Sequence, residues 1–264
     1  MGSFSAKDVQ VLRQSTGAGI MDAKRALEAC QGDQGEAAKW LRERGLSSAA
    51  KRSERENSQG ALAISMVDGV AAIVELKSET DFVAKSDAFV NMVGELAEAV
   101  ARNGESAIDT MKDLVDDLKV SMKENIEVGS VIRFESAPGN TIGEYLHVQN
   151  ERGVNAVLVE LEGDYPDKAH DVALHIAFAK PEYLSREMVP EDIVAEEKKT
   201  LETLSRNEGK PEASIDKIVT GRLNGFFKER CLVEQAYVKD EKVSIADYVS
   251  PSKIVRYAQV TIGT

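Results

Sequence analysis

Histidine and cysteine are scarce in this 264-residue sequence, with three and two copies. His170 and His175 stand five apart, which on a helix puts them on different faces, so they make no metal pair. Cys30 and Cys231 have no Cys or His spacing around them, which argues against a disulfide framework or structural zinc and for two reduced thiols. No apolar run approaches ~18 residues, so nothing is expected to span a membrane. The N-terminus lacks an apolar signal core, so a cytoplasmic protein is expected. Also absent are GxSxG, HExxH, a Gly-rich phosphate loop and any Cys–His constellation. The expectation is therefore a binding protein rather than an enzyme, with no catalytic residue, no bound metal and no cofactor. A net charge of −12 disfavours a phosphate-tracking surface, so no direct nucleic-acid binding is expected. With 42% apolar and 30% charged residues, the composition suits a globular chain of more than one domain.

Three short helices are predicted in residues 4–45. Ser5 and Asp8 form a cap pair for the first, with Val9 and Leu12 on one face. Thr16-Gly17-Ala18-Gly19 breaks it. A second helix carries Ala23 and Leu27 and ends at Gly32. Asp33 and Glu36 cap a third, with Ala37, Trp40 and Leu41, which Gly45 closes. Residues 46–59 hold no large apolar side chain after Leu46 and read as a linker crossed by few contacts, although their alternating charge also suits a solvated helix. The domain reading is 1–50 for the helical module and 51–59 for the linker.

From residue 60 the period becomes strand-like. Leu62, Ile64 and Met66 alternate, Asp68-Gly69 is a hairpin turn, and residues 72–76 form a second strand. Phe89, Val93, Leu96 and Val100 line a helix, and 109–124 reads as another. Strands return over 128–162, with a turn at Arg152-Gly153. An internal repeat matches Ala71-Ala72-Ile73-Val74-Glu75-Leu76 to Ala156-Val157-Leu158-Val159-Glu160-Leu161. Each stretch ends a hairpin and precedes an amphipathic helix, so the fold class is α+β, with two duplicated hairpin-plus-helix subdomains behind the helical module. The first is placed at 60–138, the second at 139–185 and 232–264. Residues 186–231 form an inserted antiparallel helical hairpin around Gly209-Lys210-Pro211, either a projecting coiled-coil arm or a pair lying flat on the sheet.

The first half carries a longer connection between strand and helix than the second, and it contains Thr80-Asp81-Phe82-Val83. Taken alone, Phe82 reads as folded back into the core. The alternative is an exposed aromatic wedge for a partner's pocket. Asp81, as a single carboxylate, is weak evidence for a metal.

Two stretches, Leu12-Arg13-Gln14-Ser15-Thr16-Gly17-Ala18-Gly19-Ile20-Met21-Asp22-Ala23-Lys24-Arg25-Ala26-Leu27 and Val74-Glu75-Leu76-Lys77-Ser78-Glu79-Thr80-Asp81-Phe82-Val83-Ala84-Lys85, resemble the bacterial elongation factor Ts family. Gly209-Lys210-Pro211 and Gly221-Arg222-Leu223 add weaker support. Lys77 departs from the Asn usual there, and after the last strand no counterpart is expected of the further helical module that some members carry. The resemblance implies a guanine-nucleotide exchange factor that binds elongation factor Tu·GDP, displaces Mg²⁺ and promotes GDP release so that GTP enters. It implies a ubiquitin-associated (UBA)-like docking domain, with Leu12, Arg13, Thr16, Gly17, Gly19, Ile20 and Lys24 as partner-binding candidates. It assigns Thr80, Asp81, Phe82 and Val83 to dislodging the partner's Mg²⁺. His147 is either near the contact with another partner domain or a plain strand-face histidine. A homodimer, a Tu–Ts heterodimer and a heterotetramer all stay open. The alternative function is a non-catalytic adaptor that binds a protein through its UBA-like domain.

Overall fold

The computed structural model describes residues 4–263; residues 1–3 of the expected docking domain and Thr264 lie outside them. Three helices open the chain: α1 (Ala6–Thr16), α2 (Ile20–Ala29) and α3 (Gln34–Ala50). Ser5 and Asp8 cap α1 reciprocally: the Ser5 amide donates to the Asp8 carboxylate at 2.6 Å, and the Asp8 amide donates to Ser5 Oγ at 3.3 Å. Gly17, at φ 67°, ends the helix in the left-handed region. Leu12, Ala23, Ala26, Leu27 and Ala37 form the small core of this module.

The expected stop at Gly45 is not one: α3 runs on to Ala50. A Cβ on Gly45 would lie 2.5 Å from Val120 Cγ1, so the glycine permits close crossing of a helix rather than ending its own. The linker is also not a loose tether. Arg52 donates to the Lys119 carbonyl, and the Asn125 amide group donates to the Ser53 and Arg55 carbonyls.

Two halves of equal strand order follow. In the first, β1 (Gln59–Val67) and β2 (Val70–Ser78) form a hairpin through Asp68 and Gly69, both at positive φ, which matches the right-handed twist of the strands. After β2 come α4 (Asp81–Ala84), α5 (Asp87–Asn103), α6 (Ala107–Thr110), α7 (Lys112–Met122) and β3 (Glu127–Glu135), which returns to pair with β2. The single helix expected over 109–124 is split: the Met111 amide is shared between the Ala107 and Ile108 carbonyls, and this tightens the chain there.

The second half starts with the hairpin β4 (Thr141–Gln149) and β5 (Arg152–Leu161). Its turn is at Asn150 and Glu151, both at positive φ, and not at Arg152-Gly153 as the sequence suggests. Gly153 instead meets β1: a Cβ there would stand 2.3 Å from the Leu62 carbonyl oxygen. Next are α8 (Pro166–Ala179), α9 (Glu191–Asn207), α10 (Glu212–Arg230), the ribbon β6 (Ala236–Tyr237) with β7 (Asp240–Ser244), and α11 (Ile245–Val249). Finally β8 (Ile254–Thr261) pairs with β5. Each half therefore reads strand–strand–helix–strand, and the sheet order is β3-β2-β1-β5-β4 with β8 also on β5.

The cores follow from the pleat. Val74 and Leu76 face α5, which buries Phe89, Val93, Leu96 and Val100 against them. Val157, Val159 and Leu161 face α8 in the same way. The opposite faces meet between the halves, where Leu62, Ile73 and Phe134 pack with Ala156, Leu158 and Val260. Helices α9 and α10 pack mainly on each other, and their base is seated by Phe226, Phe227 and Cys231 against Val189 and Tyr183. A pair lying flat on the sheet is not observed.

Candidate partner-binding surfaces

The turn after β2 is built to hold its shape. Thr80 caps α4 by accepting the Val83 amide at 3.3 Å. Its hydroxyl donates to one Glu124 oxygen at 2.6 Å, and the other oxygen receives the Glu79 and Thr80 amides, each at 3.1 Å. Glu79 in turn accepts the Asn125 amide at 2.6 Å and pairs with Arg55 at 3.3 Å. Bonds to an ionised carboxylate are stronger than neutral ones, so this network fixes the turn from outside.

On that base Val83 is half-buried and Ala84 fully buried against the first core. Phe82 points outward and is 73% exposed. The solitary reading of Phe82 as a core residue is thereby overturned: its two successors occupy the core positions that it would have taken. The Lys85 ammonium sits over the Phe82 ring, 4.4 Å from its centroid and 3.6 Å from the Asp81 carboxylate, and still leaves the side chain mostly open to solvent. Burying a phenylalanine is worth about 1.5–3 kcal/mol. Here that free energy is not used in folding. Among the described residues no cluster of three or more His, Cys, Asp or Glu side chains has metal-binding geometry.

In the helical module the candidate residues separate by role. Leu12 is 1% exposed and belongs to the module's core, so it offers a partner no surface; its place on the apolar face of α1 is what buries it. Arg13 is exposed on the same helix. Thr16 turns its hydroxyl to the Leu12 carbonyl at 2.6 Å, Gly17 supplies the left-handed turn, and Gly19 precedes α2 in extended backbone. This places Ile20, 58% exposed, at the start of α2, with Lys24 one turn on and 3.7 Å from Glu28. Met21, 59% exposed, doubles the apolar surface beside Ile20 and was missed as a candidate, although it sits inside the same motif.

His147 lies on β4 at a bulge shared with Val148. Its ring stacks on Tyr145 with centroids 6.3 Å apart, and Nδ1 is 3.3 Å from the Tyr145 hydroxyl. Val148 beside it is exposed. Asn155, the ladder partner of His147, donates to the Ala177 carbonyl, which brings the exposed Phe178 to the same region. Sequence reasoning missed Phe178; its outward position on α8, away from Val172 and Ile176, was the available signal. The described residues show no hydrogen bond or ion pair that joins the Phe82 turn, the Ile20 surface and His147, so these are three separate exposed patches.

A family model described as Elongation factor TS matches residues 79–264. Elongation factor Ts of Pediococcus pentosaceus is 38% identical over all of this chain and 93% of its own length. That of Acidothermus cellulolyticus is 38% identical over all of this chain and 99% of its own. That of Saccharopolyspora erythraea is 41% identical over 93% of this chain and 92% of its own. Matched by the family model over most of its residues and by these relatives along its full length, the chain belongs to the elongation factor Ts family.

Proposed function

We propose that this chain is the guanine-nucleotide exchange factor of elongation factor Tu, acting in the cytoplasm by binding the Tu·GDP complex and speeding GDP release so that GTP enters. The observation that carries the reading is Phe82, apolar and exposed on a turn that Glu124 holds rigid, within a chain of this family. Residues 1–50 dock on the partner through Ile20, Met21, Arg13 and Lys24. The core halves (60–138, and 139–185 with 232–264) present the wedge and the His147 edge, and the hairpin 186–231 is an arm. Residues 51–59 join module and core.

No catalytic group is needed. A factor that binds the nucleotide-free or metal-free partner better than the loaded one must, by linkage, weaken nucleotide binding by the same factor. The partner holds its nucleotide partly through Mg²⁺ bridging phosphate oxygens and protein ligands. A wedge that opens this arrangement acts on the tightest part of the grip. If Phe82 becomes buried only in the opened partner, its about 1.5–3 kcal/mol corresponds to roughly 10- to 150-fold in nucleotide affinity. Thr80 and Val83 keep the ring aimed, and Asp81 sets negative charge beside it.

The test is release of a fluorescent GDP from purified elongation factor Tu. Substoichiometric amounts of this chain should accelerate it, and excess EDTA should shrink the advantage because the metal would already be gone. Release no faster than in buffer would sink the reading.

A further inference from the structure

Strand β8 has one side free. It pairs with β5 along its length, and among the described residues no strand pairs with its other edge. The register shows which backbone groups face out. The Ile262 amide donates to the Val154 carbonyl, and that pair is in step with Val260–Ala156 and Ala258–Leu158. These are therefore the hydrogen-bonded pairs of the ladder. Tyr257 and Gln259, between them, turn their N–H and C=O groups away from β5.

That edge opens on a groove of about 760 Å³. One wall is the chain from Lys180 to Leu184, and the other is the inner face of the first half at Lys77, Ser130 and Ile132. The groove contains none of Phe82, Ile20 or His147, so it is no part of the surfaces above. Walls on both sides shield the edge from a second sheet.

The charges in the groove are unevenly satisfied. Glu182 pairs with Arg230 and Arg256 with Glu160, each at 2.7 Å, and Glu75 accepts the Ser130 amide at 2.9 Å. Lys77 and Lys180 also line the groove, and among the described residues neither has an ion partner. On a chain of net charge −12, Lys77 and Lys180 outnumber the one carboxylate of the groove without an ion partner, Glu75, and this local excess of positive charge beside an open strand edge selects the opposite charge in an incoming chain.

We propose that this groove binds an extended acidic polypeptide segment, which adds to the β8 edge as a further strand while Lys77 and Lys180 answer its carboxylates. The backbone bonds at Tyr257 and Gln259 supply affinity, and the lysines select for acid.

The probe is an acetylated, amidated hexapeptide of alternating Glu and Val, titrated into the ¹⁵N-labelled full chain. Saturable amide shifts centred on Tyr257 and Gln259 are expected below about 1 mM peptide. The same peptide with Lys for Glu should bind at least tenfold more weakly, and N-methylation of alternate amides should abolish the shifts. Lys77→Gln with Lys180→Gln should weaken the acidic peptide about tenfold at an unchanged melting temperature. No saturation by 1 mM, equal binding of the Lys peptide, indifference to N-methylation, or shifts that map elsewhere would overturn the proposal. So would a decauridylate that saturates the groove while the peptide does not.

Discussion

The two halves share their strand–strand–helix–strand order, yet they differ where the middle strand gives way to the helix. In the second half β5 reaches α8 through residues 162–165, and Pro166 starts the helix directly. In the first half β2 reaches α5 through residues 79–86, and that stretch holds the one-turn α4 with Phe82 on its outside. The matched carboxylates of the repeat differ as well. Glu75 receives one backbone amide, from Ser130. Glu160 receives the Ala137 amide, the Asn140 side chain and the Arg256 guanidinium. Of the three histidines, all in the second half, His175 is buried while His147 and His170 are exposed. A duplicated scaffold thus keeps its packing while the copies diverge in use, with an exposed contact in one and a charged, titratable interior in the other.

The strongest way to break the comparison is to remove the helix anchor of each half. Phe89→Ala should cost about 3–5 kcal/mol and Ile176→Ala about 2–5 kcal/mol, read by urea denaturation. A loss under about 1 kcal/mol in either would mean that this helix does not hold its half together.

Next is the buried carboxylate pair. Burial pushes the Glu160 carboxyl up, but the Asn140 and Ala137 donors and Arg256 outweigh it and hold the group below the usual carboxylate range. Arg256→Ala should cost about 1.5–3 kcal/mol, as for a hydrogen bond to a charged group, while Glu75→Gln should stay within about 1 kcal/mol because an amide oxygen still accepts the Ser130 N–H. Equal losses would show the two carboxylates to be equivalent.

Acid sharpens the contrast. His175 is fully buried, with Nε2 at 2.9 Å from the Gln235 oxygen and Nδ1 facing the Val238 amide. Burial lowers its pKa, against a smaller raising effect of Gln235. A base with a depressed folded pKa contributes stability that is complete above its unfolded value, ~6.5, and is lost as pH falls through it. The slope for one proton is at most about 1.4 kcal/mol per pH unit. Urea midpoints at pH 7.5 and 5.5 should therefore fall apart in the native chain and draw together in His175→Gln. An unchanged difference in that variant would assign the pH response to another group.

The smallest effect on stability is expected at Phe82. Phe82→Ala should change it by no more than about 0.5 kcal/mol, as at ordinary surface positions, while exchange slows by tenfold or more. A large drop in melting temperature with exchange per folded molecule intact would remove the wedge.

What could be read from the sequence was what local chemistry decides. Ser5 with Asp8, Asp68 with Gly69, and the 89–93–96–100 stripe each carry their own reason for a cap, a turn and a buried face. What could not be read was set by neighbours distant in the chain. Gly45 and Gly153 resemble punctuation, but each lies where another element, Val120 or Leu62, comes too close for a side chain. Phe82 resembles a core residue until Val83 and Ala84 are seen to fill the space. Leu12 lies in a motif that mixes surface with interior, and only the packing of α1 on α2 separates them. The ribbon β6–β7 and α11 were not foreseen, because segments of two to five residues are too short to establish a period.

The run of α3 through Gly45 has a consequence for recognition. Arg42 on that helix holds Asp113 and Asp117 of α7 at 3.1 and 2.8 Å, and just past α7 Glu124 grips the Phe82 turn. A loose tether would hand its second contact an effective concentration that falls as the tether lengthens and tolerates almost any spacing. A stiff strut sets one spacing: where the partner's two sites stand that far apart the affinities of module and wedge multiply, and where they do not, one contact must be given up. In the proposed complex the helix acts as a ruler, and the choice of partner rests on a distance as much as on the chemistry at either end.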